Sequence, residues 1–164
     1  MCQPRVFART AARLASLSRL LYPNIPSLTP DEFVEQSERA EWTIVDVRTP
    51  GEQSVSIILS ALPGEAFDAS SAAQHGRPVL AYCMSGVRSA SCVQALRENG
   101  IEAYSLAGGL LAWAAAGKTL VTPDGRRTCR IAAWHGVERA LPPAYQAIEL
   151  PRRALAPHCG RPST

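Results

Sequence analysis

Aromatic residues make up only 6% of the 164 residues, and lysine is nearly absent, Lys118 standing beside sixteen arginines. With so few rings and no motif of the nucleic-acid-binding classes, a nucleic-acid reader is excluded. No stretch reaches the roughly 18 uninterrupted apolar residues of a membrane-spanning helix. The five cysteines (Cys2, Cys83, Cys92, Cys129 and Cys159) are odd in number and contain no Cys-x-x-Cys pair. That argues against a disulfide framework and a cysteine-rich zinc site, and predicts free thiols in a reducing compartment. His75, His135 and His158 are scattered, so no metal is expected. What remains is 46% hydrophobic and 19% charged, the composition of one globular domain large enough to bury a core.

Acid is missing from residues 1–30, which carry four arginines. Residues 31–125 carry twelve acids against six bases, and residues 126–164 carry two against seven. An acidic body is thus flanked by basic ends, a pattern that arginine- and alanine-rich composition accounts for without a polyanionic partner. Residues 1–20, rich in Arg, Ala and Ser, have the profile of an organellar transit peptide. They also read as an amphipathic helix with Phe7, Ala11, Leu14, Leu17 and Leu21 as its apolar stripe. The helix packed on the domain, in a cytoplasmic protein, is the preferred reading; an organellar protein is the alternative.

Strands alternate with helices along the chain, which predicts an α/β fold with a central, mostly parallel sheet. Thr29-Pro30-Asp31-Glu32 is a capping box opening a helix to about Ala40. Strands are expected at Trp42–Val47, Ser56–Leu59, Pro78–Tyr82 and Ala103–Leu106. The run at 78–82 is apolar throughout, as in a strand covered on both faces. Helices are expected at 68–75, at Ser89–Asn99 with Ser89 as cap and Gly100 as stop, and at 110–116. Thr119–Val121 and Cys129–Ala132 flank Pro123-Asp124-Gly125, a hairpin signal, and residues 141–149 read as a further helical turn. The expected organisation is an N-terminal helix over 1–27, a domain over 28–118, an extension with a hairpin over 119–150 and a disordered tail over 151–164.

One cysteine sits where a strand meets a helix, in Tyr82-Cys83-Met84-Ser85-Gly86-Val87-Arg88-Ser89. A loop closing on a helix N-terminus turns backbone N–H groups into one concavity, which favours an anion. A cysteine at its rim gains a stabilised thiolate. Gly86 allows the tight turn, and Arg88 either binds an oxyanion or pins the loop. Cys83 is therefore a candidate nucleophile, with a small buried hydrophobe as the alternative reading of the same residue. Met84 and Ser85 are candidates for setting donor preference. Trp113 is expected in the core, and Cys92 is expected to be carried away from Cys83 by its helix.

The stretch from about Leu28 to Gly117 resembles the rhodanese family, the sulfurtransferase module. Cys83-Met84-Ser85-Gly86-Val87-Arg88 matches that family's six-residue active loop, Cys-x-x-Gly-x-Arg, with Ser89 following. Asp46-Val47-Arg48 with Glu52 matches a second motif. Leu106, Gly108, Gly109, Ala112 and Trp113, closed by Gly117, match a third. The sequence departs where the family has an aromatic (Gln53 here) and where it has Gly-His-Ile-Pro-Gly-Ala (Ser60-Ala61-Leu62-Pro63-Gly64-Glu65 here).

The resemblance implies a three-layer fold and transfer of a sulfane sulfur from a donor such as thiosulfate to cyanide or a thiol, through a persulfide on Cys83. No cofactor is implied, and a protein sulfur acceptor is a possible partner. Asp46 and Arg48 are implied as supporting residues, and Glu52 as the partner of an arginine. The alternatives are a rhodanese-fold module that binds without turnover, and a phosphatase or arsenate reductase. Phosphatases of this fold carry Cys-x5-Arg, which here would place Arg where Ser89 stands.

Overall fold

The computed structural model describes residues 8–133 and 137–150. The tail over 151–164, His135 and His158, Cys2, Cys159 and Phe7 lie outside the described residues. In chain order the elements are α1 (Ala8–Leu21), β1 (Ser27–Leu28), α2 (Pro30–Ser37), β2 (Thr43–Asp46), α3 (Pro50–Gln53), β3 (Leu62–Pro63), α4 (Ala69–His75), β4 (Val79–Tyr82), α5 (Val87–Glu98), β5 (Ala103–Leu106) and α6 (Gly109–Ala115). The extension adds β6 (Leu120–Val121), β7 (Arg127–Thr128), β8 (Arg130–Ala133) and β9 (Gln146–Glu149), and 3-10 turns occupy Gly64–Ala66 and Val137–Ala140.

Five strands form one all-parallel sheet in the order β1-β5-β4-β2-β3. The central strand β4 is inaccessible along its whole length. Its side chains alternate between the two faces, as strand geometry requires. Leu80 and Tyr82 join Phe33 of α2, Leu110 and Trp113 of α6, and Ile131 of β8 in one cluster. Val79 and Ala81 join Val45, Phe67 and, from α5, Cys92, Val93 and Leu96 in the other. Helices thus cover both faces, and the sheet is the middle of three layers.

Local chemistry sets where the elements begin. At Thr29 the hydroxyl accepts from Glu32 N at 3.3 Å while Glu32 Oε2 accepts from Thr29 N at 2.7 Å, the capping box read from the sequence. Thr49 and Glu52 build a second one at the start of α3. Trp113 is buried, and its indole N–H donates to Thr119 O at 2.9 Å.

Several expectations are corrected. Residues 56–59 do not form a strand: Ile57 makes a single antiparallel bridge to Val121, and the sheet edge is Leu62–Pro63. The β-branched run is spent on a cross-link to the extension instead of a ladder. The hairpin exists, but its second strand is Arg127–Thr128. Arg130–Ala133 pairs in parallel with Gln146–Glu149, so the stretch expected as a helical turn at 141–149 is turn over 141–145 and strand over 146–149. Helix α1 packs on the domain through Leu14 of the expected stripe together with Ala15 and Ser18, while Leu17, Leu20 and Leu21 are exposed. Small residues win that face because the backbone of α6 approaches it closely. A Cβ at Gly108 would lie 2.9 Å from both Ala15 N and Leu14 Cβ.

Ser60 stands at the family's glycine position, and it adopts φ +66°. A non-glycine residue in this region costs about 1–2 kcal/mol, against roughly 0.4–1 kcal/mol of extra unfolded-state freedom for glycine. Ser60→Gly is therefore expected to stabilise the protein by about 0.5–1 kcal/mol, seen as a melting midpoint raised by about 2 °C. A lowered midpoint would show that the Ser60 conformation carries no strain.

Candidate active site

The C-terminal ends of β2, β4 and β5 meet at one edge of the sheet, and the 83–89 loop leaves β4 there. Cys83 and Met84 are each 1% exposed. The thiol therefore lies beneath the loop and not at its rim, as the sequence reading had it. Met84 points into the core cluster with Leu106 and Leu110, which removes it from the loop surface and corrects its candidacy for donor preference. Ser85 is half-buried and Val87 is 37% exposed, so these two present the loop's outer surface.

The backbone around Cys83 is held from behind. In the first turn of α6, Leu110 N donates to Cys83 O at 2.8 Å and Leu111 N to Met84 O at 3.1 Å. Two residues further on, Gly86 N donates to Cys83 Sγ at 3.2 Å. Gly86 also caps α5 in the left-handed region, at φ +92°. It is Gly86, and not Ser89, that ends the loop. A Cβ there would meet Ser18 Oγ of α1 at 2.7 Å and Leu106 O at 3.2 Å, so the N-terminal helix is packed directly against the 83–89 loop. Ser89 lies inside α5, fully buried, with its hydroxyl 3.7 Å from Cys83 Sγ. Cys83 thus sits at the N-terminus of a 12-residue helix, where the exposed amide ends and the helix dipole both favour negative charge.

Arg88 does not point at open solvent. Its guanidinium makes a bidentate pair with Glu52, Nη1 to Oε2 at 2.9 Å and Nη2 to Oε1 at 2.8 Å. Burial opposes ionisation of Glu52, but the Arg88 hydrogen bonds and the Thr49 amide outweigh it and hold the carboxyl below its ordinary range. Burial likewise opposes the charge on Arg88, and the Glu52 contacts, with the Cys83 charge nearby, reverse that and raise it. Of the two roles open to Arg88 in the sequence, the geometry is that of a loop pin.

The second motif forms a buried knot under the loop. Asp46 and Arg48 are 1% and 0% exposed. Asp46 Oδ1 accepts from Arg48 N at 3.0 Å and Nε at 2.9 Å, and Oδ2 accepts from Nη2 at 2.7 Å. Tyr82 OH, adjacent in sequence to Cys83, donates to Asp46 Oδ2 at 2.6 Å and accepts from Ile58 N at 3.1 Å. Burial and the Asp46 charge push the Tyr82 phenol well above its ordinary range, so it stays a donor. Gln53, where the family has an aromatic, uses its amide to bridge Asp46 O at 3.0 Å and Arg48 O at 2.8 Å, replacing ring packing by hydrogen bonds.

Cys92 is buried on α5, and Cys83 and Cys129 are outside any disulfide. Among the described residues no group of His, Cys, Asp and Glu is arranged to hold a metal. A groove of about 730 Å³ lined by Phe33, Trp42, Trp113 and Lys118 includes no residue of the 83–89 loop. The sequence reading missed Tyr82, Ser105 and the second box at Thr49. Thr49-Pro50-Gly51-Glu52 was legible by the rule applied at Thr29; the other two depend on strand register.

The family model for the rhodanese-like domain matches residues 29–116. The chain belongs to the rhodanese-like domain family. A curated sulfurtransferase from Allochromatium vinosum is 35% identical over 86 residues, which is 50% of this chain and 80% of that protein. The fold is similar to that of a thiosulfate sulfurtransferase from Pseudomonas aeruginosa, with a TM-score of 0.55 at 23% identity. That match covers 74% of this chain and only 24% of the Pseudomonas chain. A rhodanese-like domain protein from Staphylococcus aureus is 30% identical with a TM-score of 0.47, over 60% of this chain and 98% of that one. The family-model match ends before β6, and the strands β6–β9 lie outside the matched residues. No helix among the described residues is long and apolar enough to cross a membrane.

Proposed function

We propose that this rhodanese-like protein is a sulfurtransferase that carries a sulfane sulfur as a persulfide on Cys83. The observation that carries the reading is the seat of Cys83 Sγ: the Gly86 amide 3.2 Å away and the Ser89 hydroxyl 3.7 Å away, at the amino end of α5. These donors face the sulfur as a thiolate requires. The thiolate attacks the outer sulfur of a donor such as thiosulfate. A Cys83–sulfur bond forms, the donor's S–S bond breaks, and sulfite leaves with the electron pair. The loop donors then face the charge on the persulfide, the kind of prearranged stabilisation that lowers such barriers. Attack by cyanide or a thiol on the outer sulfur releases thiocyanate or a new persulfide and regenerates the thiolate.

Neither step needs a redox co-reactant or a cofactor. Loop length separates this reading from phosphoryl transfer. The sixth position after Cys83 is Ser89, and Arg88 is committed to Glu52, so no guanidinium is free to clamp a tetrahedral anion. The compartment proposed is the cytoplasm, and the acceptor is a small thiol, cyanide or a protein thiol.

Incubation with thiosulfate followed by intact-mass measurement tests the reading. A gain of one sulfur atom is expected, lost on adding cyanide and absent in Cys83→Ser. A thiol that alkylates readily but takes no sulfur from thiosulfate, mercaptopyruvate or a persulfide donor would leave the binding-module reading in its place.

A further inference from the structure

Two buried hydroxyls behind Cys83 have one proton each and an unequal choice of acceptors. Ser89 on α5 is 0% exposed and Ser105 on β5 is 1% exposed. Their oxygens are 2.8 Å apart. Ser105 Oγ has no other hydrogen-bond partner among the described residues. A buried hydroxyl left without an acceptor is unfavourable, so Ser105 donates to Ser89. Ser89 then keeps its own proton for one of two acceptors, Gly86 O at 3.2 Å or Cys83 Sγ at 3.7 Å. Gly86 O already accepts from Ala90 N at 3.3 Å. A neutral thiol is a weak acceptor and leaves the Ser89 proton on that carbonyl. A charged sulfur draws it away, because bonds to ions are the stronger ones.

We propose that Ser105 is a positioning residue that, through Ser89, holds a hydroxyl proton on the Cys83 sulfur whenever that sulfur is charged. Each serine keeps its own proton and only the hydroxyl of Ser89 turns. Accepting from Ser105 polarises Ser89 and makes it a better donor, the cooperative effect of a hydrogen-bond chain. The charged groups around Cys83 are Arg88 of α5 with Glu52 of α3, and the Asp46–Arg48 pair beneath Tyr82. The contacts of α1 and α6 with the loop, through Ser18, Gly109 and Leu110, are uncharged. Ser105 has no hydrogen bond to any of these charged groups, so its substitution changes the relay and leaves them in place.

The inference rests on the reading of Cys83 as an ionised nucleophile, and its test does not require sulfur transfer. The ultraviolet absorbance of the Cys83 thiolate, wild type minus Cys83→Ser, is followed against pH. Ser105→Ala is expected to raise the midpoint by about 0.3–0.5 pH unit, a modest fraction of a charged hydrogen bond. Ser89→Ala is expected to raise it further. The double variant Ser89→Ala/Ser105→Ala is expected to match Ser89→Ala alone, because Ser105 acts through Ser89. A Ser105→Ala midpoint equal to wild type, or a double variant in which the two shifts add, overturns the relay. Should the midpoints move as stated while thiosulfate fails to charge Cys83, the relay stands and the proposed sulfurtransferase function falls.

Discussion

Asp46→Asn is expected to lower the melting midpoint by roughly 10 °C. Arg48 is the largest fully buried side chain among the described residues, and its charge is balanced chiefly by Asp46. Burial alone opposes the guanidinium charge, but the Asp46 contacts, with smaller help from neighbours, keep it firmly protonated. Arg48 Nη1 is already buried without a hydrogen-bond partner among the described residues, so the knot has no spare acceptor to take over. Removing one partner of a buried pair costs about 3–5 kcal/mol, far more than the net worth of the intact pair. For a chain of this size each kcal/mol moves the midpoint by about 2–4 °C. The amide also turns one of Tyr82's acceptor oxygens into a potential donor, and Tyr82 precedes Cys83. Loss of the knot is therefore expected to reach the loop as well as the core. A calorimetric midpoint within 2 °C of wild type, in the same buffer, would show that Arg48 finds another partner and that the knot is dispensable.

The fold was readable in the sequence where local chemistry and period agree. Val79–Tyr82 is apolar at every position, and the strand is covered on both faces. Thr29 through Glu32 is a capping box in the sequence and in the structure. The family match over residues 29–116 rests on motifs that lie in that same body. What misled was any residue whose fate depends on a distant segment. Ser56–Leu59 has strand composition, yet its one ladder contact is to Val121, more than sixty residues on. The leucines of α1 repeat at helical spacing, yet Ala15 and Ser18 are buried because glycines in α6 and the loop bring backbones within reach.

The site was legible as a motif and not as a geometry. Cys83 through Ser89 identifies the loop, but spacing alone could not say that Cys83 lies beneath it, that Met84 turns into the core, or that Arg88 is spent on Glu52. Sheet register decides these. β2 and β4 pair Asp46 with Tyr82, which brings a carboxylate under the residue before Cys83. β4 and β5 pair Ala81 with Ser105, which sets a polar side chain behind Ser89. A single polar residue in an otherwise apolar strand, as Ser105 is between Tyr104 and Leu106, was the one sequence signal for that contact.

Gly109→Ala is expected to reduce thiosulfate charging of Cys83 by about 100-fold or more. A Cβ at Gly109 would lie 2.5 Å from Cys83 O and 2.6 Å from the Met84 carbonyl carbon and oxygen. These are backbone atoms with no rotamer to yield, so the loop or α6 must move. Either movement breaks the Leu110 N to Cys83 O bond that ties the Cys83 backbone to α6, and so shifts the sulfur relative to the Gly86 amide. Displacement of a reacting group by about 1 Å is enough for a 100-fold loss. Backbone strain contributes separately, since Gly109 has φ +58°, and this costs roughly 1–2 kcal/mol of stability in any non-glycine residue. Gly100→Ala separates the two effects. Gly100 has φ +76°, but a Cβ there meets nothing within 4 Å. It is expected to lose similar stability by thermal melting and to charge like wild type below its midpoint. Equal charging rates in the two variants, measured well below both midpoints, would show that the loop tolerates the displacement and that the tie between α6 and Cys83 does not position the sulfur.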